Sequence, residues 1–393
     1  MTGRARTLFA VAAAIVGIVL AGAPASARQS VPLGPDGDAF YAPPDPLPKA
    51  KPGTLVRAQP MNAPDGAQAW RVLYHSRAVN GRDIVVSGVV VVPDGDAPKG
   101  GRPVVTWAHG TTGLADVCTP SKGPDAAKRI AGVNDYVAAG YVVVATDYEG
   151  LGPPGLHPYL VGESEGRSVL DAVRAARRLK TAHAGRNVVV AGHSQGGHAA
   201  LAAGELAADY APELHVLGVV AVAPAADLEV ILPAAGALPG ATGFLVMGVE
   251  GFNAAYPKAG FEDLLTPEAV KTARIVDEKC GGDVVAAFRG AGDTIVAKNP
   301  LDVPAVRKVI HLNSAGNRPA GAPVLVVQGD ADTLIVKPLT DAFVKKACAL
   351  GDSIDYRVYP GAGHGPVIVA AIHDIVGWVA DRLRGDAAAS TCP

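Results

Sequence analysis

Short, continuous runs of apolar residues recur along the middle of the chain: Val104 to Trp107, Val142 to Ala145, Val188 to Ala191, Val216 to Val222 and Val324 to Val327. Runs that do not alternate with polar residues suit strands buried on both faces. Between the second and third, Glu165 to Leu179 sets Val169, Leu170, Val173, Ala176 and Leu179 at three-to-four spacing among Arg and Asp, which predicts an amphipathic helix. Strand, turn and helix in repetition predict an α/β fold with a mostly parallel central sheet flanked by helices. Upstream, Trp70 to Tyr74 and Ile84 to Val92 flank Asn80-Gly81, a pair that tolerates positive φ, so an antiparallel hairpin opens the sheet.

Other patterns divide the chain. Arg4 and Arg6 precede an apolar run from Leu8 to Ala21, and Ala25-Ser26-Ala27 follows. This is the charged start, apolar middle and small-residue cleavage site of a secretory signal, so residues 1–27 are expected to be removed after Ala27. The run is too short to span a bilayer, and no integral membrane segment is expected after cleavage. Residues 28–60 are rich in Pro and Gly and read as an extended arm. The core is expected over 61–227 and 319–393. The stretch 228–318 between them is far longer than an ordinary crossover and reads as a cap or lid, with helices near Pro267 to Lys279 and Asp283 to Phe288.

Composition narrows the function. A net charge of −2 gives no grip on nucleic acid, and 49% hydrophobic against 18% charged residues excludes a disordered chain. Export makes disulfides the natural reading of Cys118, Cys280, Cys348 and Cys392, none of which has the spacing of a zinc or redox motif. Three pairings are open by sequence alone. The pairing favoured is Cys118 with Cys280, and Cys348 with Cys392.

The strongest chemical signal is Asn187 to Ala191 running into Gly192-His193-Ser194-Gln195-Gly196, then an Ala-rich stretch. A strand leading through Gly-x-Ser-x-Gly into a helix is a nucleophile elbow, in which a sharp turn lifts the serine and the glycines avoid clashes. Gly162-Glu163-Ser164-Glu165-Gly166 matches the same spacing, but no strand precedes it directly and two carboxylates flank its serine. Ser164 therefore reads as a residue near a helix start. A serine needs a histidine to take its proton and a carboxylate to orient that histidine, and elbow enzymes supply them in the order Ser, acid, His. Asp332, in Gly329-Asp330-Ala331-Asp332 after the Val324 strand, is the expected acid, with Asp330 as a turn-capping alternative. His364, after Tyr356 to Tyr359, is the expected base. Oxyanion donors are expected from the backbone of Gln195 and of Thr111 in Trp107-Ala-His-Gly-Thr, with Thr112 the close second. His193 and His198 read as packing or elbow hydrogen bonds. No metal-binding or dinucleotide motif is present in the sequence, and neither metal nor cofactor is expected.

Together, Trp107-Ala-His-Gly-Thr, Cys118-Thr-Pro-Ser, Thr146-Asp-Tyr-Glu-Gly-Leu-Gly, Gly162-Glu-Ser-Glu-Gly with Val169-Leu-Asp, and Gly192-His-Ser-Gln-Gly-Gly-His make the chain resemble the secretory lipase family of α/β-hydrolases. The resemblance is to the lipase A type and most closely to its bacterial branch. It implies the α/β-hydrolase fold, a secreted lipase or esterase with a lid before the acid-bearing strand, and a Cys118 to Cys280 bridge. The expected activity is serine carboxylic-ester hydrolysis through an acyl-enzyme. Ser194 attacks, His364 shuttles the proton, Asp332 orients it, and the amides of Gln195 and Thr111 hold the oxyanion. The substrate would be a small-molecule or lipid ester, met in solution or at a lipid-water interface. Acylglycerols, simple esters and polyesters all fit, and an acyltransferase would use the same residues.

Overall fold

The computed structural model describes residues 1–3, 31–235 and 240–393. The expected signal sequence and its cut after Ala27 lie outside the described residues. Contacts group Met1–Ser30 as one unit and Val31–Pro393 as another. Its strands are β1 (Leu55–Met61), β2 (Ala67–Arg77), β3 (Asp83–Pro93), β4 (Arg102–Ala108), β5 (Val142–Thr146), β6 (Ala184–His193), β7 (His215–Val222), β8 (Val324–Gly329) and β9 (Ile354–Tyr359). The α-helices are α1 (Val133–Ala138), α2 (Gly162–Arg178), α3 (Gln195–Tyr210), α4 (Leu228–Ala235), α5 (Thr242–Ala255), α6 (Pro267–Ala273), α7 (Gly281–Ala287), α8 (Pro304–Asn313), α9 (Lys337–Ala349) and α10 (Pro366–Arg384).

The strands form one sheet in the order β1-β2-β3-β5-β4-β6-β7-β8-β9. The first three are antiparallel to their neighbours, and every pairing from β5 to β9 is parallel. Both faces are covered. One apolar cluster joins the sheet to α2, α3 and α9, and a second joins it to α1 and α10. This explains the unbroken runs: Val104, Val105, Val142, Val143, Val188 and Val189 are all fully buried, on whichever face they point. The hairpin between β2 and β3 turns with Gly81 at φ 81°, as Asn80-Gly81 suggests.

One difference lies in the Pro-rich arm. Its end does not stay outside the sheet, since Leu55–Met61 forms the edge strand β1. Pro60 is tolerated there because an edge strand leaves one side without a ladder partner.

The chain passes from β4 to β5 on one side and then to β6 on the other, so the connections diverge at β4. That divergence opens a crevice at the carboxyl ends of the strands, the place where such sheets hold their ligands. Between β7 and β8 run α4 to α8 and the turns joining them, whose apolar side chains, among them Leu232, Leu245, Phe252 and Phe261, cluster with Tyr159, Leu160 and Ile335. Two disulfides close the structure, Cys118 to Cys280 and Cys348 to Cys392, the pairing favoured from the sequence. The first ties the loop after β4 to α7, and the second ties the C-terminal segment to α9. Among the described residues, no helix is long and apolar enough to cross a membrane.

Candidate active site

β6 ends at His193 and α3 begins at Gln195, leaving Ser194 alone in the turn at φ 58° and ψ −117°. A non-glycine residue there is strained, and strain of this kind persists only when the surroundings hold it. The holding contacts are main-chain bonds: Ser194 N–H donates to the Val222 carbonyl (2.9 Å), and the Ser194 carbonyl accepts from Ala225 (3.2 Å). The register Ala108↔Gly192 sets the ends of β4 and β6 side by side. A Cβ on Gly192 would run into the Gly196 carbonyl, and one on Gly196 into the Ala108 carbonyl. The glycines at 192 and 196 are therefore steric requirements of the turn.

β8 and β9 lead into the loops carrying Asp332 and His364. Ser194 Oγ lies 2.9 Å from His364 Nε2, and His364 Nδ1 lies 2.7 Å from Asp332 Oδ2. With the imidazole neutral, Nδ1–H donates to the carboxylate and Nε2 accepts the serine proton. Asp332 is only 4% exposed. Burial alone would raise its pKa, but the His364 hydrogen bond and charge and the amides of Leu334 (2.8 Å) and Ile335 (2.9 Å) outweigh it. The carboxyl is held below its usual range. Asp330 stays apart: its carboxylate accepts from Gly361 N (2.6 Å), a bond inside the turn that leads to His364. Ser164 is also apart, in the first turn of α2, donating to Glu149 Oε2 (2.6 Å).

The loop after β4 approaches from the other side. Gly110 lies against the elbow, since a Cβ built on it would fall 3.7 Å from Ser194 Cβ and 3.2 Å from His193 Nδ1. Thr111 Oγ1 meets the Tyr159 hydroxyl at 2.8 Å, and the Thr112 carbonyl accepts from Gly281 N at 2.8 Å, which fastens this loop to α7. Gln195 opens α3, so its backbone amide has no partner within the helix.

Behind the elbow is a buried polar network that sequence reasoning missed. The Gln195 side chain points inward and donates to Glu165 Oε1 (2.8 Å) and His157 Nε2 (2.7 Å). Burial drives the His157 pKa down to about 4, so the ring is neutral, and its Nδ1–H donates to the Glu149 carbonyl (2.8 Å). Glu165 Oε2 bonds His198 Nδ1 (2.8 Å), while His198 Nε2 faces the Asn313 carbonyl (2.7 Å). Burial opposes the charged form of His198, but the Glu165 carboxylate and the Asn313 carbonyl, one at each nitrogen, outweigh it and raise its pKa. His193 donates from Nε2 to the His364 carbonyl (2.8 Å), and burial and the neighbouring His364 push its pKa down to about 4.

Ser194 opens on a small apolar pocket of about 40 Å³, lined among others by Tyr159, Leu160, Leu232, Leu245 and Ile335. Leu232 and Leu245 also line a second apolar pocket of about 180 Å³ that runs among α4, α5 and α8 toward Phe252, Phe261 and Ile310. Among the described residues, no group of three or more His, Cys, Asp or Glu is placed to hold a metal ion.

The secretory lipase family matches residues 129–391. A secreted triacylglycerol lipase of Malassezia globosa is 27% identical over 385 residues, covering 91% of this chain and 83% of the relative. A protein of Mycobacterium tuberculosis named a probable inactive lipase is 26% identical over 386 residues, covering 91% and 84%. Among solved structures, lipase A of Candida antarctica superposes with a TM-score of 0.77 at 20% identity, covering 90% of this chain and 87% of that one. The rice cell wall degrading esterase LipA of Xanthomonas oryzae superposes at 0.67 and 18% identity, covering 85% and 98%. These two likenesses carry the fold. With the family match spanning most of the chain, and an elbow serine, histidine and aspartate in hydrogen-bond contact, the protein belongs to the secretory lipase family and is a carboxylic-ester hydrolase of the α/β-hydrolase fold.

Proposed function

We propose that the protein hydrolyses apolar acyl esters outside the cell through an acyl-enzyme on Ser194. The observation that carries this reading is the hydrogen-bond chain Ser194 Oγ to His364 Nε2 and His364 Nδ1 to Asp332 Oδ2. His364 takes the serine proton as Ser194 attacks the ester carbonyl, then gives it to the departing alcohol; Asp332 fixes the tautomer and balances the imidazolium. The amides of Gln195 and Thr111 receive the negative charge that forms on the carbonyl oxygen. Water then enters and attacks the acyl carbon as His364 takes its proton; the Ser194 Oγ to carbon bond breaks, the proton returns to Ser194, and the acid leaves. No metal or cofactor takes part in this scheme.

The apolar pocket beside Ser194 holds the first carbons of the acyl chain. Leu232 and Leu245, which face both pockets, stand between this space and the larger one beyond, so short acyl chains fit without rearrangement and longer ones displace the two leucines. A lipid ester at a lipid-water interface and a soluble ester both meet this requirement. Segment 228–318 acts as the cap, and residues 1–27 as the export signal.

The test is hydrolysis of p-nitrophenyl esters from short to long acyl chains by the wild type beside Ser194→Ala. The reading expects activity highest at short length and a loss of kcat in the variant of about 10⁶-fold. Full activity in Ser194→Ala would place the nucleophile elsewhere.

A further inference from the structure

Thr111 and Tyr159 meet hydroxyl to hydroxyl, and the proton count of that contact leaves one donor unused. Their oxygens are 2.8 Å apart, each hydroxyl carries one proton, and the bond between them needs only one. Among the described residues Thr111 Oγ1 has no other side-chain partner. Tyr159 is 3% exposed and lines the pocket that opens on Ser194. Its ring stands edge-on to His157, 6.2 Å between centroids, and the His157 ring is stacked on Tyr148, whose hydroxyl donates to the His109 carbonyl (2.9 Å). The phenol is thus braced against the same loop that carries Thr111. Burial pushes the Tyr159 phenol well above its ordinary range, so it keeps its proton.

A phenol is the better donor of the two and an aliphatic hydroxyl the better acceptor. Tyr159 therefore donates to Thr111 Oγ1, and the Thr111 proton is free to turn toward the next acceptor, strengthened by the bond it receives. Thr111 follows Gly110, which lies against Ser194. The acceptor that arrives there during the reaction is the ester oxygen as it becomes negative.

We propose that the Thr111 hydroxyl, oriented by Tyr159, donates a third hydrogen bond to the tetrahedral oxyanion, beside the two backbone amides. This rests on the acyl-enzyme reading above. As the Ser194 Oγ to carbon bond forms, the serine proton moves to His364 Nε2 and the carbonyl π pair moves onto oxygen. The Thr111 proton is shared with that oxygen but stays on Thr111. When the pair returns, the bond to the alcohol breaks and the alcohol leaves with the His364 proton. Thr111 is a catalytic residue in this scheme and Tyr159 a positioning residue.

The test compares Thr111→Val, Thr111→Ser, Tyr159→Phe and the Thr111→Val/Tyr159→Phe double variant. Ester kinetics are read together with inhibition by an alkyl boronic acid, which forms a tetrahedral adduct on serine, and thermal unfolding is measured for each variant. Thr111→Val is expected to lose about 10²-fold in kcat with KM little changed, and boronate affinity should fall with it. Thr111→Ser restores most of the rate. Tyr159→Phe loses about tenfold, and the double variant is no worse than Thr111→Val alone, because the phenol acts only through the threonine. Unchanged kcat and boronate affinity in a folded Thr111→Val would overturn the proposal, as would full additivity in the double variant. Titration of the wild type with an alkyl phosphonate separates the two levels. If Ser194 is not labelled, the acyl-enzyme reading fails; if it is labelled and Thr111→Val is as fast as wild type, only the third donor fails.

Discussion

Ser194 owes its place at the tip of the turn to what its neighbours lack, since a Cβ at either Gly192 or Gly196 would strike backbone carbonyls of the turn. That requirement is written in the sequence as two glycines around a serine after an apolar run, which is why the residue was legible there. Ser164 shares the glycines but lacks the strand, and the structure puts it at a helix start, bonded to Glu149. The two aspartates after β8 separate the same way, by partner. Asp332 reaches His364, whereas Asp330 caps the Gly361 turn. Asp332→Asn is expected to lower kcat about 10⁴-fold by removing the acceptor that fixes the histidine tautomer. Asp330→Asn should cost far less, and steady-state ester kinetics on the two variants decide between them. Glu165, His157 and Tyr159 were not legible as parts of a site. Each takes its meaning from a partner thirty or more residues away, Glu165 and His157 from Gln195 and Tyr159 from Thr111, and such pairings have no local signature.

At the scale of elements, the apolar runs were enough to locate the strands because a sheet covered on both faces needs no polar alternation. They did not mark β1, whose Pro60 and proline-rich flank read as irregular chain although an edge strand accommodates them. The segment between β7 and β8 was expected as an insertion from its length, but the way α4 and α5 frame two apolar pockets was not. Leu232 and Leu245 are ordinary helical apolar residues in sequence and become a partition only when the two helices are brought together. Leu245→Ala is expected to join the two pockets and shift the preferred p-nitrophenyl ester toward longer acyl chains. The gain shows as a lower KM for the long esters, while kcat on the short ones changes little. An unchanged chain-length profile in this variant would place the acyl chain along another path.

Over the whole molecule, buried titratable groups tie stability to pH. The His157 and His193 pKa values are held near about 4 from an ordinary 6.5, so between those values the unfolded chain binds more protons than the folded one. Their contribution is full above pH 6.5 and is lost as pH falls toward about 4, on the order of 3 kcal/mol for each. Glu205 works in the opposite sense. Burial raises its pKa to about 7, so its penalty is relieved as pH falls from about 7 toward 4.5. Denaturant unfolding between pH 4 and 7 should therefore be flatter in His157→Gln and steeper toward acid in Glu205→Gln than in the wild type. The central claim, that turnover passes through an ester of Ser194, is tested most directly by trapping that ester. The protein would be mixed with a p-nitrophenyl ester, quenched in acid within milliseconds, digested and read by mass spectrometry. The account predicts a peptide containing Ser194 heavier by one acyl group, absent in Ser194→Ala. Steady turnover with no such adduct, or an adduct on Ser164 instead, would contradict it.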